Sequence, residues 1–404
     1  MSQYIKKYFL RSGIIKLFGF HNPFNGASIY KELMLGKNWL VNKLQLPYLS
    51  KEDWNSIPEE ERNIFLGFDH EEIERLRKYP NTLYLFDYIW EGGDTLGDYY
   101  FFYKLLTLSG IKSQIPPQKI FFISSNVLEE ERYSKWQKEN YPDYKINIIS
   151  FNFFSEHQRF YIYKGFNVDQ TISHIKEDTK HFLSLNRRKR YGRNYTCYKI
   201  WKSTIYKNTL ISYDKFLLED LNAHEYQNEP SELKEKFVKS SPSVLDDANF
   251  ETNWAADGPG ASPFELFKNS LINLVSETLF SNEDNGSLFY SEKTFKPMIY
   301  NQPLIIFGQQ NLNTSLEKVG FKTYKNYFNF DFENIEDHYE RIDAIISQLE
   351  TIDDQLSSYT VSQKIDWLLK DRETLEYNKE ALKSQDYNKM KLKVFIDKVN
   401  SVVG

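Results

Sequence analysis

Short apolar runs alternate along this chain with stretches whose apolar positions recur every third or fourth residue, which predicts strands and helices in turn. GIIKLFGF (13–20) reads as a first strand. HNPFNGASIYKEL follows as a turn-rich loop entering a helix to about Leu35, capped by Asn25 or Ser28 and closed by Gly36. Residues 51–79 are charged and predicted helical. TLYLFDYIW (82–90) is apolar enough for a buried strand and stops at Gly92 and Gly93; an amphipathic helix over 98–109 then closes near Gly110. KIFFISSN (119–126), LEEERYSKWQKENYP (128–142) and YKINIISFNFF (144–154) read as strand, helix and strand.

Residues 161–179 show no clear period and read as a linker. HFLSLN (181–186) then opens a second alternation. It continues with a basic loop and helix (187–203), the strand LISYDKF (210–216) and a polar, irregular insertion (220–262). A helix (263–271), the strand LINLVSET (271–278) and a loop of small and acidic residues (281–287) come next. SEKTFKPMIYN (291–301) reads as helix, PLIIFG (303–308) as strand, LNTSLEKVG (312–320) as a short helix and FKTY (321–324) as strand. From Glu333 the pattern is helical: IEDHYERIDAIISQLETI (335–352), then two longer charged amphipathic runs to Val402.

Strand–helix alternation with short connections is the pattern of a parallel, doubly wound sheet, and here it occurs twice. The expected fold class is therefore α/β. The expected division is an N-terminal α/β domain over 1–178, a C-terminal one over 179–335, and helices over 336–404 packing on both. Two open domains of this kind leave a cleft, the default place for a ligand. In each sheet, ligands sit beyond the carboxyl ends of the strands.

Composition narrows the class. At 404 residues the chain exceeds one ordinary core, and 41% hydrophobic with 26% charged residues is the balance of a soluble globular protein. The net charge of −5 argues against a protein that coats nucleic acid, while leaving a local basic patch open. The aromatic content, 29 Tyr and 31 Phe, fits an AT-biased genome as well as a function. The single cysteine, Cys197, has no disulfide partner and fits a reducing compartment and a place in the core. Neither a signal-peptide core nor a membrane-length apolar run is present, so a cytoplasmic protein is expected.

Three stretches carry candidate chemistry. In FLSLNRRKRYGRNY (182–195) a strand runs into Asn186, Arg187, Arg188, Lys189, Arg190 and Arg193. That places cations at a strand's carboxyl end and a helix N-terminus, where backbone N–H groups also favour anions. A phosphate or diphosphate site follows, against a solvated basic turn, a localisation signal or a nucleic-acid patch. In FYSEKTFKPMIYNQPLIIFG (289–308), Ser291 caps a helix opening with Glu292 and Lys293, and Lys296-Pro297 is expected to restrict it. On spacing alone, a complement to the helix dipole and a site for an anionic ligand stand level. In LVSETLF (274–280), Ser276 and Glu277 end a strand; a carboxylate there suits sugar or ribose hydroxyls, or caps a helix.

Other signatures are missing. No GxxxxGK(S/T), HExxH, CxxC or GxSxG pattern occurs, so the P-loop, zincin, thioredoxin and α/β-hydrolase readings lack support. The seven histidines show no metal-ligand spacing, and Asp246-Asp247 lies in the polar insertion, so no metal is expected.

YSEKTF (290–295) followed by PLIIFG (303–308) resembles the donor-site motif of α1,3-fucosyltransferases, and FKNSLINLVSET (267–278) looks like the strand before it. With FLSLNRRKRYGR and LEKVGFKTY, the chain also looks like a group of GT-B-type glycosyltransferase-like proteins of phages, viruses and bacteria. The resemblance covers roughly 180–330 and barely reaches the N-terminal half. It implies two Rossmann-like domains facing a cleft in the GT-B manner, with a nucleoside diphosphate sugar held by the C-terminal one. It also implies no cofactor and no metal, because cationic side chains and helix dipoles neutralise the diphosphate. By position, Lys293 and an arginine among Arg187, Arg188, Arg190 and Arg193 hold the diphosphate, while Glu292 faces ribose or sugar. Asn186, Ser276, Glu277, Tyr290, Ser291 and Lys296 complete the donor site. The departures are Lys296-Pro297, where small and apolar residues are usual, and the long acidic loop before Tyr290.

An inverting transfer needs a general base at the acceptor hydroxyl. Candidates at strand ends are Asp87 and Glu91, then Asp94 and His21, with Glu91 in WEGGD equally a polar turn residue. The expected activity is a metal-independent glycosyltransferase acting on a glycan, a lipid-linked sugar or a modified base in phage DNA, where aromatic rings stack flipped bases. From another class, a non-catalytic binding or assembly protein retaining the fold also fits.

Overall fold

The computed structural model describes residues 116–403 except 160, 187–189, 214–216, 218–220, 222–225, 227–228, 241–263 and 281–286, together with the backbone of two strands nearer the N-terminus. The helices expected before residue 110 lie outside the described residues.

Contacts divide the chain into two compact units, Met1–Phe153 with Asn285–Ser287 and Asn388–Gly404, and Phe154–Asp284 with Leu288–Tyr387. Residues 154–178, grouped with the first domain on sequence pattern, thus belong to the second unit.

The first unit contains strands β1 (Ile15–Phe18), β2 (Leu83–Tyr88), β3 (Ile120–Ser124) and β4 (Asn147–Ser150) in the order β1-β2-β3-β4, every pair parallel. Helix α1 (Glu129–Asn140) links β3 to β4, and its buried Tyr133 hydroxyl accepts the Ile146 N–H at 2.8 Å. Of the FNFF expected to extend β4, Phe151 and Asn152 are irregular, and Phe153 and Phe154 open helix α2 (Phe153–Arg159).

The second unit holds strands β5 (Lys180–Asn186), β6 (Thr209–Tyr213), β7 (Ser270–Ser276) and β8 (Leu304–Phe307) in the order β6-β5-β7-β8, again all parallel. Every residue of β7 and β8 is buried, as expected for strands covered on both faces. The order reverses between β5 and β7: from β5 the chain winds outward to β6, then returns to β7 and winds the other way. That gap is a topological switch point, the place where sheets of this kind form a ligand crevice beyond the carboxyl ends of their strands.

The helices that matter are α3 (Val168–Ser173), α4 (Tyr191–Lys202), α5 (Ser231–Lys239), α6 (Phe264–Lys268) and α7 (Glu292–Ile299). They are followed by α8 (His338–Ser357), α9 (Val361–Leu369), α10 (Arg372–Ser384) and α11 (Asp386–Val403). Several sequence expectations change here. The supposed linker carries α3, started by a capping box between Asn167 and Gln170. The polar insertion contains α5, whose Phe237 is buried against Trp201 and Tyr198 of α4. FKTY is irregular, and the backbone of Lys322 within it is taken by one side chain: Asn378 of α10 accepts from Lys322 N and donates to Lys322 O. The two long C-terminal runs are three helices, since Asp371 caps α10 and Gln385, at φ 56°, ends it.

At the amino end of the second sheet, His181 of β5 contacts Asp353 of α8 at 2.5 Å, and Asn208 Nδ2 donates to both Asp353 oxygens at 3.0 and 3.1 Å. The contact is buried and seats α8 on the sheet.

Candidate functional site

The register assigns side chains to faces. Leu183 lies opposite Asn273, so by alternation Asn186 and Ser276 share one face of the sheet at the carboxyl ends of β5 and β7. Asn186 hydrogen-bonds the buried Cys197 of α4, which puts α4 on that face. Thr278, two residues past β7, accepts a hydrogen bond from Arg193 Nη2 of α4 at 3.0 Å. Glu277 falls on the opposite face, where α7 packs: its Oε1 accepts from the Thr294 hydroxyl at 2.6 Å and from the Ser291 N–H at 2.9 Å. Helices α4 and α7 therefore flank the switch point from opposite sides with both N-termini at the crevice. Two helix N-termini at one place make a region of positive potential.

Close approach is built into the sequence. A Cβ on Gly192, in the first turn of α4, would lie 2.1 Å from the Phe280 ring, so only glycine lets α4 settle on the segment after β7. A Cβ on Gly308, just past β8, would lie 2.6 Å from Leu312 and 3.2 Å from the Glu277 Cβ.

The side chains at the crevice are strongly coupled. Lys293 and Glu292 are each 19% exposed, with Lys293 Nζ 3.3 Å from Glu292 Oε1 and 3.0 Å from Ser291 Oγ. Burial alone would raise the Glu292 carboxyl, but Lys293, Lys296, its own backbone N–H and Arg193 bring it down to about 2. Burial lowers Lys293, with Arg193 adding to that effect and Glu292 and Glu277 opposing it. Arg193, 3% exposed, is also lowered by burial, with Glu277 and Glu292 opposing and Arg190 adding. Arg193, Glu292 and Lys293 thus act on one another, with Glu277 acting on Arg193 and Lys293, and Lys296 on Glu292.

The sequence candidates thus separate. Asn186, Arg190, Arg193, Ser276, Glu277, Ser291, Glu292, Lys293 and Lys296 gather at the switch point. Arg187, Arg188, Glu91, Asp94 and His21 lie outside the described residues, and Asp87 lies in β2 of the other unit. Tyr290 is 2% exposed and donates its hydroxyl to Leu312 O at 2.7 Å, which directs it into the core. Glu277 is fully buried with its oxygens facing protein donors, so it braces the helix in place of facing a sugar. Pro297 sits inside α7, which runs on to Ile299; Asn301, at φ 53°, follows its end. Asn186 Oδ1 and Ser276 Oγ, both buried, have no hydrogen-bond partner among the described residues.

Arg341 was not apparent from sequence. From α8 it donates to Phe280 O at 3.3 Å, Gly308 O at 3.2 Å, Ile335 O at 2.6 Å and Glu336 O at 3.2 Å, tying the segments after β7 and β8 together. Glu333 likewise accepts from Asn313 N at 2.6 Å and Nδ2 at 3.0 Å, and Asn313 Oδ1 accepts from Ile306 N of β8. No local signal marks either residue, because the contacts that matter, Arg341 with Phe280 and Gly308 and Glu333 with Asn313, join residues 20 or more positions apart.

Among the described residues, no three His, Cys, Asp or Glu side chains are grouped to hold a metal ion, and no helix is long and apolar enough to cross a membrane. The chain matches no family model, no curated protein and no solved structure.

Proposed function

We propose that the second unit is the Rossmann-like, nucleotide-sugar-binding domain of a cytoplasmic glycosyltransferase of GT-B type. It would transfer a sugar from a nucleoside diphosphate sugar to an acceptor hydroxyl without a metal. The observation that carries this reading is the meeting of Arg193, from a helix on one face of the sheet, with Lys293, from a helix on the other, at the switch point. Arg190, Arg193, Lys293 and Lys296 outnumber the carboxylates Glu277 and Glu292, leaving a cationic excess suited to a diphosphate.

In such a transfer the sugar–oxygen bond to the diphosphate breaks as the acceptor oxygen bonds the anomeric carbon. Negative charge then grows on the leaving diphosphate, where preplaced cations and helix N-termini lower the barrier most. Lys293 offers a point charge able to turn from Ser291 toward the ligand, and the buried Arg193 adds its positive charge to the same place. Glu292, ionised well below neutral pH, is an acceptor for a ribose or sugar hydroxyl.

Thermal shift with UDP-, GDP-, CMP- and dTDP-sugars, followed by donor hydrolysis, tests this. A nucleoside diphosphate sugar at a hundred times its Kd should stabilise by about 2.7 kcal/mol, a rise of roughly 5–10 °C for a domain of this size. Lys293→Ala should cut that rise to half or less while leaving the unliganded protein folded. If no nucleotide moves the melting temperature, or Lys293→Ala leaves the shift intact, the reading fails.

A further inference from the structure

We infer that Glu277 is a positioning residue that fixes the first turn of α7 and, with Thr278, sets the distance between the two cations of the crevice. The inference rests on the nucleotide-sugar reading only for what that turn is held against.

The geometry is a capping box completed from a distance. In the usual form, the side chain at the third helical position turns back to accept the N–H of the capping residue. Here the cap is Ser291 and the third position is Thr294, whose hydroxyl cannot play that part. Glu277 Oε1, from the end of β7, accepts the Ser291 N–H at 2.9 Å and at the same time the Thr294 hydroxyl at 2.6 Å. Its Oε2 accepts the Thr278 N–H at 3.1 Å. The stem is pinned in turn, because Glu277 N–H extends the sheet ladder to Phe307 O at 2.8 Å. A fully buried carboxylate with both oxygens facing backbone and hydroxyl donors is engaged within the protein.

From this anchor the chain reaches both cations. Ser291, held by its N–H, turns its Oγ to Lys293 Nζ at 3.0 Å and to the Lys293 N–H at 3.4 Å. Thr278, held by its N–H, turns its hydroxyl to Arg193 Nη2 at 3.0 Å. Two adjacent residues at one strand end thus place a lysine on one side of the crevice and an arginine on the other.

The test uses Glu277→Gln, which keeps the volume but sets an amide N–H₂ against donors, and Thr294→Val, an isosteric change that removes a single bond to the same oxygen. Hydrogen exchange over residues 288–296 reads the turn without any ligand. UDP and GDP binding by calorimetry reads the site, and melting temperature reports global folding. The expectation for both variants is exchange about tenfold faster, confined to that segment, the scale of one lost charge-assisted hydrogen bond. UDP or GDP binding should weaken about tenfold or more in Glu277→Gln. If Glu277 acts through Lys293, the Glu277→Gln, Lys293→Ala double variant binds no more weakly than Lys293→Ala alone. Unchanged exchange in both variants overturns the proposal, as does faster exchange spread across the whole unit. Losses that add in the double variant overturn the link to Lys293. If the unaltered protein binds neither UDP nor GDP, the nucleotide reading has failed, and the exchange result still decides the positioning role.

Discussion

Replacing Gly192 with alanine sets two known effects against each other at a single methyl group. Gly192 lies in the first turn of α4, where alanine gains about 1 kcal/mol of helix propensity over glycine. On propensity alone the substitution stabilises. The added Cβ, however, would sit 2.1 Å from one Phe280 ring carbon and 2.3 and 2.5 Å from two others. Phe280 has little room to withdraw, since it is 5% exposed and its carbonyl is held by Arg341. Overpacking of this kind costs about 1–3 kcal/mol, and so deep an overlap with a ring held in place belongs at the upper end. The net effect is a destabilisation of about 2 kcal/mol, or roughly 4–8 °C in melting temperature for a domain of this size. Calorimetry of Gly192→Ala, Phe280→Leu and the double variant measures it. The double variant should be more stable than the two single losses predict, because the smaller side chain makes the room the methyl needs. The same displacement would draw Arg193 away from Thr278, so nucleotide affinity should fall with stability in Gly192→Ala and recover in the double variant. A Gly192→Ala protein that melts higher than the parent would refute the close approach on which the shape of the crevice depends.

Two further outcomes follow from the same contacts. Because the Glu292 carboxyl is held at about 2 in the folded protein against 4.5 ordinarily, its contribution to stability is complete above pH 4.5 and is lost as the pH falls toward 2. Urea unfolding of Glu292→Gln should therefore depend less steeply on pH in that window than the parent, and parallel curves would count against the ion cluster. Arg341→Met should cost about 3 kcal/mol or more in urea unfolding, since it leaves the carbonyls of Phe280, Gly308, Ile335 and Glu336 without their guanidinium. A loss below about 1 kcal/mol would mean that those carbonyls find other donors.

The sequence was most legible where a strand is covered on both sides. HFLSLN, LINLVSET and PLIIF announce β5, β7 and β8 by short, mainly apolar runs bounded by polar residues. The gathering of Arg193, Glu277, Glu292 and Lys293 was legible too, because each stands where a parallel strand gives way to a helix. What each does there was not legible. Glu277 and Glu292 are both acidic residues near a helix start, yet one is fully buried against backbone donors and the other is partly exposed beside two lysines. That difference comes from tertiary burial, which no local spacing records. Tyr290 was misleading for the same reason: an aromatic beside a charged motif suits a ligand, and only the fold turns its hydroxyl to Leu312. Helix α3 is another matter, since NVDQ (167–170) is a legible capping box and was masked by a short element with little apolar period.

The alternation of a strand explains how so small a stretch organises the crevice. Successive side chains point to opposite faces, so a dipeptide at a strand's end addresses both layers of helices at once. At an ordinary edge that property is of little use, because consecutive crossovers lie on one side. At the switch point it is decisive: Glu277 reaches down to α7 and Thr278 reaches up to α4, and each meets a helix at its first turn. Exchanging the order of these two residues would keep composition, burial and charge, yet turn the carboxylate toward Arg193 and the hydroxyl toward Ser291. The N–H of the cap would then face a group too short to reach it, and Arg193 would be neutralised by a direct ion pair instead of held by a neutral oxygen. The order Glu-Thr, and not the mere presence of the two residues, therefore leaves Arg193 on a neutral oxygen and gives the carboxylate to the first turn of α7.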